Sequence, residues 1–268
     1  MRINQNIMAF NAYRNVDQTG STLGKSLEKL SSGFRINRAA DDAAGLVISQ
    51  GLRSQVSGLR QATRNAQDGV SVVQIAEGAL QEVHTMLNRI RDLAVQASNT
   101  GSNDTDARTA ANNEVAQLTA EITRISTSTR FGSQTLLTGT YTGTFQVGAN
   151  VGDTLSVTIS TMNASALGVD GISLIASQAA ALSAVTTAIT TVSTQRGRLG
   201  AVQNRLESVI ANLNVTTENL AASEGRIRDT DMALEMVSFT RHQIILQAGT
   251  SMLAQANAVP QNILSLLR

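Results

Sequence analysis

Two long stretches of the chain repeat apolar or small residues at alternating steps of three and four. Such a repeat aligns the apolar side chains along one side of a helix and is typical of a coiled-coil seam. The first stretch contains Leu52, Val56, Leu59, Thr63, Ala66, Val70, Val73, Ala76, Leu80, Val83, Leu87, Ile90, Ala94 and Ala97. The second contains Leu182, Val185, Ile189, Val192, Leu199, Val202, Leu206, Val209, Leu213 and Leu220. The pattern therefore predicts two long helices that pack along each other, with a stammer between Val73 and Ala76.

Three further helices are predicted outside these stretches. The segment "DARTAANNEVAQLTAEITRI" spaces Val115, Leu118, Ile122 and Ile125 as one helix face. A first terminal helix runs from about Asn4 to "KLSSG", where Gly33 is suited to a helix C-cap. Asp41 and Asp42 then offer an N-cap for the first long helix. A last terminal helix begins at about Asp231.

The region between Phe131 and Gln195 has a different composition, with Asp153 and Asp170 as its only charged residues. In "GTFQVGANVGDTLSVTIS" apolar and polar residues alternate, and glycines interrupt the alternation. This pattern predicts one or two β-hairpins, at about residues 131–172. The predicted fold class is mainly α: an elongated bundle of long coiled-coil-like helices formed by the N- and C-terminal parts of the chain, with a small β-hairpin region in the middle.

The two ends of the chain are amphipathic helices, and a single copy of the chain offers neither an obvious place to pack. The last six positions include Ile263, Leu264, Leu266 and Leu267, close to Pro260, the only proline. The last residues of a chain are usually poorly ordered and polar, so an apolar ending indicates side chains that are buried by other residues. We expect these side chains to be buried by other protein in an assembly.

The composition supports long packed helices and argues against several functions. The chain is 42% hydrophobic but only 3% aromatic, so its core is built mainly from Ala, Val, Leu and Ile. A net charge of +1 without any run of Lys or Arg argues against nucleic-acid binding. No stretch approaches the roughly 20 apolar residues of a membrane span, and the apolar ending brings only Arg268 to meet lipid headgroups.

Residues that could carry chemistry are sparse. His84 and His242 lie in no metal-binding motif, and the chain has no cysteine. Asp41 and Asp42 supply too few oxygens for a calcium site, so capping is the better interpretation. The glycines form no phosphate-binding loop, and no serine lies in a G-x-S-x-G motif. We therefore expect no enzymatic activity and no cofactor.

Several long segments, taken together, resemble the bacterial flagellin family. They are "LEKLSSGFRINRAADDAAGLVIS", "NAQDGVSVVQIAEGALQEV", "LNRIRDLAVQASN", "EGRIRDTDMALEM" and "QAGTSMLAQANAVPQNILSLLR". They occur in the family's order and cover roughly the first 130 and last 75 residues.

The resemblance implies that the two terminal helices pair in the inner core of a filament. It implies a terminal helical domain of residues 1–40 and 231–268, and a rod domain of residues 41–230 that contains the hairpin region. The chain departs from many flagellins in one respect, because the region from Phe131 to about Gln195 has room for the hairpin and little more, and we expect no large variable outer domain. The residues that the resemblance assigns to filament-core assembly are Leu27, Leu30, Ile263, Leu264, Leu266 and Leu267.

The resemblance also implies the location and the partners of the chain. The first residues contain no apolar stretch typical of a secretory signal peptide. Without a dedicated exporter the protein would stay in the cell, but flagellins leave through the flagellar type III apparatus and become extracellular without a cleaved signal peptide. The implied partners are further copies of the chain, an export chaperone at the C-terminal helix, and the filament cap and hook-filament junction proteins.

A further implied partner is the animal Toll-like receptor 5. The segment "LNRIRDLAVQ" matches the part of flagellins that this receptor binds. Arg89, Leu93 and Gln96 hold the matching positions, and Glu114 on the next predicted helix is a further candidate. The alternative is that these residues make contacts between subunits in the filament, and both roles are compatible if the receptor binds only monomers.

Two alternatives to a filament subunit remain open at the level of sequence. A hook-filament junction protein shares the helical ends and the export route, although the "SSGFRINRAADDAAG" and "LAQANAVPQNILSLLR" segments favour flagellin. A cytosolic coiled-coil scaffold would bind a partner helix in its own groove, and secretion into the medium would exclude it.

Overall fold

The computed structural model describes the backbone of residues 5–99, 101 and 103–266, and the side chains of those residues through Val259. In this part of the chain there are five helices, and a short β region lies between the third and the fourth helix in sequence. The helices are α1 (Ile7–Ser32), α2 (Ala43–Ser98), α3 (Thr105–Ser128), α4 (Gln178–Arg228) and α5 (Met232–Leu266). The strands are β1 (Arg130–Phe131), β2 (Gln134–Thr135), β3 (Thr142–Gln146) and β4 (Thr154–Thr158). The predicted mainly α fold class is confirmed.

The β region consists of two antiparallel hairpins. β1 pairs with β2, and β3 pairs with β4 from Thr142 opposite Thr158 to Gln146 opposite Thr154. Along β4 exposed and buried side chains alternate, with Leu155 and Val157 buried. This is the period of two that the sequence pattern predicts for a half-buried strand.

The chain divides into two compact units, of which the central unit is residues 56–218. Its core is formed by side chains of α2, α3 and α4 together with the hairpins and the loop after β4. Glycine at position 69 keeps this packing close, because a Cβ there would lie 3.2 Å from Leu206 Cδ1 and 3.4 Å from Phe145 Cδ1. The largest fully buried side chains of this unit are Leu80, Leu87, Ile90, Ile122, Leu136, Leu137, Ile159, Met162, Leu174, Leu199 and Leu206.

The predicted seam of α2 is buried through most of the central unit, but two predicted positions near its beginning, Thr63 and Val70, are only half-buried. Thr63 is half-buried, whereas the neighbouring Ala62 is 1% exposed. Thr63 Oγ1 donates to the carbonyl of Leu59 instead of entering the core. At the predicted stammer both Val72 and Val73 are buried. Leu93 and Ala94 are also adjacent and both buried, so such pairs show that the core-facing side of α2 is wider than one line of seam residues.

The second unit combines the two ends of the chain, residues 1–55 and 219–268. In it α1 and α5 pack against each other in antiparallel directions. Asn6 at the start of α1 bonds to Ala256, and Lys29 at its end lies 4.0 Å from Glu235. Each terminal helix therefore finds a partner within one chain, contrary to our expectation that a single copy offers neither helix an obvious place to pack.

Short polar residues and one glycine set the helix ends. α1 begins at Ile7, because Asn6 Oδ1 accepts from the backbone N–H of Ala9, and the predicted start at Asn4 lies outside the described residues. α1 ends at Ser32 and is capped by Gly33, whose φ of 76° is left-handed and whose N–H donates to Lys29 O. Asp42 Oδ1 caps α2 through the Gly45 N–H, which confirms the predicted N-cap. Asp231 caps α5 in the same manner.

Among the helices in the described ranges, none combines the length and the apolar character needed to cross a membrane.

Candidate functional site

The contact between α1 and α5 is polar at its two ends and close in its middle. Asn6 Nδ2 donates a 2.7 Å hydrogen bond to the carbonyl of Ala256, and at the other end Lys29 faces Glu235. A Cβ at Gly249 would lie 2.9 Å from Val16 Cγ2, so the glycine allows the two helices to approach there. The pair is thus held in one register by contacts along its length.

The sides of α1 and α5 that do not face each other carry many large apolar side chains. We call this set the terminal apolar surface, and its members are between 40% and 72% exposed. They are Ile7, Met8, Phe10, Tyr13, Leu27, Met232, Leu234, Met236, Val237, Ile244, Ile245, Met252 and Val259. Monomeric soluble proteins rarely expose so many apolar side chains together, and such surfaces mark contacts with other proteins.

Two depressions lie on the terminal apolar surface. One is on α5 and is lined by Met236, Val237, Thr240, Arg241, Ile244 and Ile245. The other lies between the start of α1 and the later part of α5, where Phe10 and Tyr13 face Leu253. Both are lined mainly by apolar atoms, so each is suited to receive an apolar side chain of another chain.

The links that follow α1 and precede α5 are bonded to each other. The N–H of Arg35 donates to Arg228 O at 2.6 Å, and the N–H of Thr230 donates to Gly33 O at 3.0 Å. The Arg228 guanidinium lies 4.2 Å from the centre of the Phe34 ring, a cation–π contact. These contacts join two parts of the chain that are far apart in sequence, and they anchor the helix pair at the end where α1 finishes and α5 begins.

The link between α1 and α2 is held by carboxylates. Asp41 Oδ2 accepts from the backbone N–H groups of Arg38 and Asn37, and these hydrogen bonds lower the pKa of the Asp41 carboxyl. Arg38 Nε donates to Glu28 Oε1 at 2.9 Å, and this hydrogen bond raises the pKa of the Arg38 guanidinium. Asp41 therefore stabilises the link and Asp42 caps α2, so the two adjacent carboxylates have different partners.

The residues predicted for filament-core assembly fall into two groups. Leu27 is 57% exposed on α1 and belongs to the terminal apolar surface, while Leu30 is half-buried. The backbone of Ile263, Leu264 and Leu266 continues α5, but their side chains lie outside the described residues, as does all of Leu267.

The four residues predicted to bind a receptor lie in the central unit, on α2 and α3. Arg89 Nε donates to Glu114 Oε1 at 2.7 Å, and this bond raises the pKa of Arg89 and lowers that of Glu114. Both side chains are about half exposed, and Gln96 is exposed. Leu93 is 3% exposed and belongs to the core. A protein that binds this surface can thus reach Arg89, Glu114 and Gln96 but little of Leu93.

Sequence reasoning missed most of the terminal apolar surface and the bonded links. The available signal was that α1 and α5 have more large apolar residues than one buried face needs, as in the run "MVSFTRHQIIL". The pairing of "GFR" with "RIRDT" had no such signal, because nothing in either segment identifies the other as its partner. Within the described ranges, no three His, Asp or Glu residues are placed to hold a metal ion.

Comparison with known families and proteins gives one consistent similarity. Residues 3–142 match the bacterial flagellin N-terminal helical region, and residues 182–267 match the bacterial flagellin C-terminal helical region. The chain is 48% identical over 305 residues to the flagellin of Bacillus subtilis (strain 168). It is 46% identical over 287 residues to the flagellar filament 33 kDa core protein of Treponema phagedenis. Both alignments cover 100% of each protein.

Solved structures with a similar fold include a flagellin. The crystal structure of Bacillus cereus flagellin is 27% identical, with a TM-score of 0.51 over 60% of this chain and 94% of that one. A putative flagellar hook-associated protein from Vibrio parahaemolyticus is 15% identical, with a TM-score of 0.60 over 70% of this chain and 100% of that one. At that identity the second likeness concerns the fold alone.

Proposed function

The chain belongs to the bacterial flagellin family, and from that membership we propose its function: it is the structural subunit that polymerises into the flagellar filament. The family is one of structural proteins, and the activity of such a subunit is self-association, which serves motility. The observation that carries the proposal in this chain is the terminal apolar surface, because burial against other subunits would remove these large side chains from water.

We further propose how the chain is divided in the filament. Residues 1–40 and 231–268 form the inner core, and residues 41–230 form the surrounding rod. Contacts between subunits then involve Leu27, Leu30 and the apolar ending of the chain, with Ile263, Leu264, Leu266 and Leu267. The exposure of Leu27 supports this division, since in one chain nothing covers more than about half of that side chain.

The remaining partners follow from the family. We propose export through the flagellar apparatus without a cleaved signal peptide, which places the working protein outside the cell. An export chaperone binds the C-terminal helix before assembly, and the cap and hook-filament junction proteins contact the two ends of the filament. A chaperone for α5 has a physical reason here, because Met236, Val237, Ile244 and Ile245 would otherwise expose an apolar helix face in the cytoplasm.

Seeded polymerisation tests the filament proposal. Purified chain is mixed with short filament fragments and observed by negative-stain electron microscopy, beside a chain truncated after Ala258 and a Leu27→Asp variant. The intact chain should form filaments. The truncated chain should not, and Leu27→Asp should assemble poorly because a charge would be buried between subunits.

A matched substitution separates assembly from folding. Val215→Asp places the same charge on α4, at a side chain that is 59% exposed and outside the terminal apolar surface. It should leave filament formation much less affected than Leu27→Asp does. Soluble monomers from the intact chain, under conditions that polymerise an established flagellin, would refute the filament proposal.

We also propose that the free subunit is recognised by animal Toll-like receptor 5 through Arg89, Gln96 and Glu114. Leu93 then acts by positioning its neighbours from the core, because it is buried. Support comes from geometry: the Arg89–Glu114 ion pair joins α2 to α3 and presents one polar surface.

Cultured cells that report receptor activation test this second proposal. Arg89→Ala and Gln96→Ala should each lower the potency of monomeric protein by about tenfold. Arg124→Ala is the control, because Arg124 forms a similarly exposed ion pair with Glu121 on α3. Equal potency of Arg89→Ala and the unmodified chain would argue against this surface.

A further inference from the structure

The exposed methionines of the chain are concentrated on the terminal helices. Of the six methionines that the structure describes, Met8, Met232, Met236 and Met252 belong to the terminal apolar surface, with exposed fractions of 71%, 47%, 49% and 66%. The two others lie in the central unit. Met162 is 1% exposed, and Met86 is half-buried against the core.

The position of these side chains matters because a thioether is readily oxidised when it is accessible. In the reaction with a hydroperoxide, the sulfur gives an electron pair to one peroxide oxygen and the O–O bond breaks. Hydrogen peroxide is thereby reduced to water and the methionine becomes its sulfoxide. The chain has no cysteine, so no thiol competes for the oxidant.

We propose that Met8, Met232, Met236 and Met252 are oxidation sites through which peroxide reversibly blocks assembly of the free subunit. The inference rests on the proposed function, since it requires that subunits cover the terminal apolar surface. The sulfoxide oxygen is a strong hydrogen-bond acceptor, whereas the surface to which these residues belong is made of exposed apolar side chains such as Ile7 and Phe10. Burying that oxygen without a donor opposes the contact between subunits.

The proposal predicts a difference between free and assembled protein. In the free subunit peroxide reaches the four methionines, and in the filament the neighbouring subunits exclude it. Filaments should therefore survive an exposure to peroxide that prevents the addition of new subunits. The central unit should remain folded, because Met162 is buried and Met86 is packed against its core.

The experiment treats monomers with hydrogen peroxide, removes the oxidant and then seeds polymerisation with short filament fragments. Mass spectrometry of peptides measures sulfoxide at each methionine, and circular dichroism measures folding. Sulfoxide should form at the four terminal sites well before Met162. The subunit concentration needed for filament growth should rise by about tenfold or more.

A variant with Met8, Met232, Met236 and Met252 all replaced by leucine is the matched control. Leucine keeps an apolar side chain of similar volume but has no sulfur to oxidise. After the same treatment this variant should still assemble, although Met1 and the two central methionines remain available to the oxidant. Incubation of oxidised wild-type protein with methionine sulfoxide reductases for both epimers should restore assembly, which tests the proposal without the variant.

The possible results separate the inference from the function on which it rests. Untreated chain that does not form filaments would refute the proposed function and the inference with it. Untreated chain that assembles, with oxidised chain that assembles equally well, would overturn the inference alone. So would a leucine variant that assembles before treatment and is blocked after it, or a failure of the reductases to restore growth.

Discussion

Asn6 supplies the hydrogen bond that Pro260 denies to Ala256. The carbonyl of Ala256 would normally accept from the N–H four residues later in α5, but position 260 is a proline and has no N–H. Asn6 Nδ2 donates to that carbonyl at 2.7 Å, while Asn6 Oδ1 caps α1 through the N–H of Ala9. One side chain thus completes the backbone bonding of both terminal helices.

Changing Asn6 should therefore loosen two helices at once. We expect Asn6→Ala to destabilise the start of α1 by about 1 kcal/mol through loss of the cap, and to leave the Ala256 carbonyl without its donor. Hydrogen exchange of backbone amides in α1 and in the later part of α5 measures both effects. Asn6→Asp is the control, because it keeps the cap acceptor and loses only the donor to α5.

A second substitution tests the link to proline. Pro260→Ala supplies a backbone N–H for Ala256, so the effect of Asn6→Asp on exchange in α5 should become smaller in that background. An equal effect with proline and with alanine at position 260 would mean that Asn6 does not replace the missing helical bond.

Two glycines of α1 and its cap should respond to alanine in opposite directions. Gly33 has a φ of 76°, which an L-residue with a Cβ adopts at a cost of about 1–2 kcal/mol. Gly24 lies inside α1, and a Cβ added there would meet no atom within 4 Å, so alanine should stabilise the helix by about 0.5–1 kcal/mol. Urea unfolding of the monomer measures both changes. A destabilising Gly24→Ala would contradict the placement of that residue.

The stability of the central unit should depend strongly on Ile90 and weakly on Ile75. Both are isoleucines of α2, but Ile90 is 0% exposed and Ile75 is 42% exposed. Ile90→Ala should lower the free energy of unfolding by about 2–5 kcal/mol because it leaves a cavity. Ile75→Ala should lower it by less than about 1 kcal/mol. Chemical denaturation followed by circular dichroism distinguishes these values, and similar losses would place both residues in the core.

The contribution of the Arg89–Glu114 pair to the stability of the folded chain should decrease as the pH is lowered. The hydrogen bond from Arg89 lowers the pKa of Glu114 in the folded chain relative to the unfolded chain. The contribution is therefore fully present above the unfolded pKa of Glu114 and is lost as the pH falls through the lower folded value. In Arg89→Gln the pKa of Glu114 should rise towards its ordinary range. An NMR titration of the Glu114 carboxyl measures this directly, and an unchanged pKa would exclude the pair in solution.

Local sequence patterns predicted the helices and strands of this fold because these elements depend mainly on interactions between residues close together in the chain. Steps of three and four along "VSVVQIAEGALQEVHTML" place apolar side chains on one side of a helix whatever the partner is. Gly33 and Asp42 acted as the predicted caps, since each satisfies backbone groups within four residues of itself. The shift from Thr63 to Ala62 shows the limit of such reasoning, because the register of a seam is chosen by the facing helix.

The functional surfaces were less accessible from the sequence. Arg89, Leu93 and Gln96 were predicted together as receptor-binding residues, but tertiary packing buried Leu93 and left the other two exposed. The side of α2 that faces the core is wide enough to take in Leu93, and spacing does not give that width. The same reasoning applies to α1 and α5, where exposure depends on which side each helix turns to the other.

The sequence by itself determined the helices, their caps, the hairpin region and the family, because these depend on neighbours along the chain or on several long segments that resemble the family. Only the tertiary structure decided that Asn6 meets Ala256, that Phe34 stacks on Arg228, and which apolar residues of the terminal helices remain exposed. Those contacts join residues about 200 or more positions apart. Whether they form depends on how whole helices pack against each other, and a pattern within one short segment contains no information about that packing.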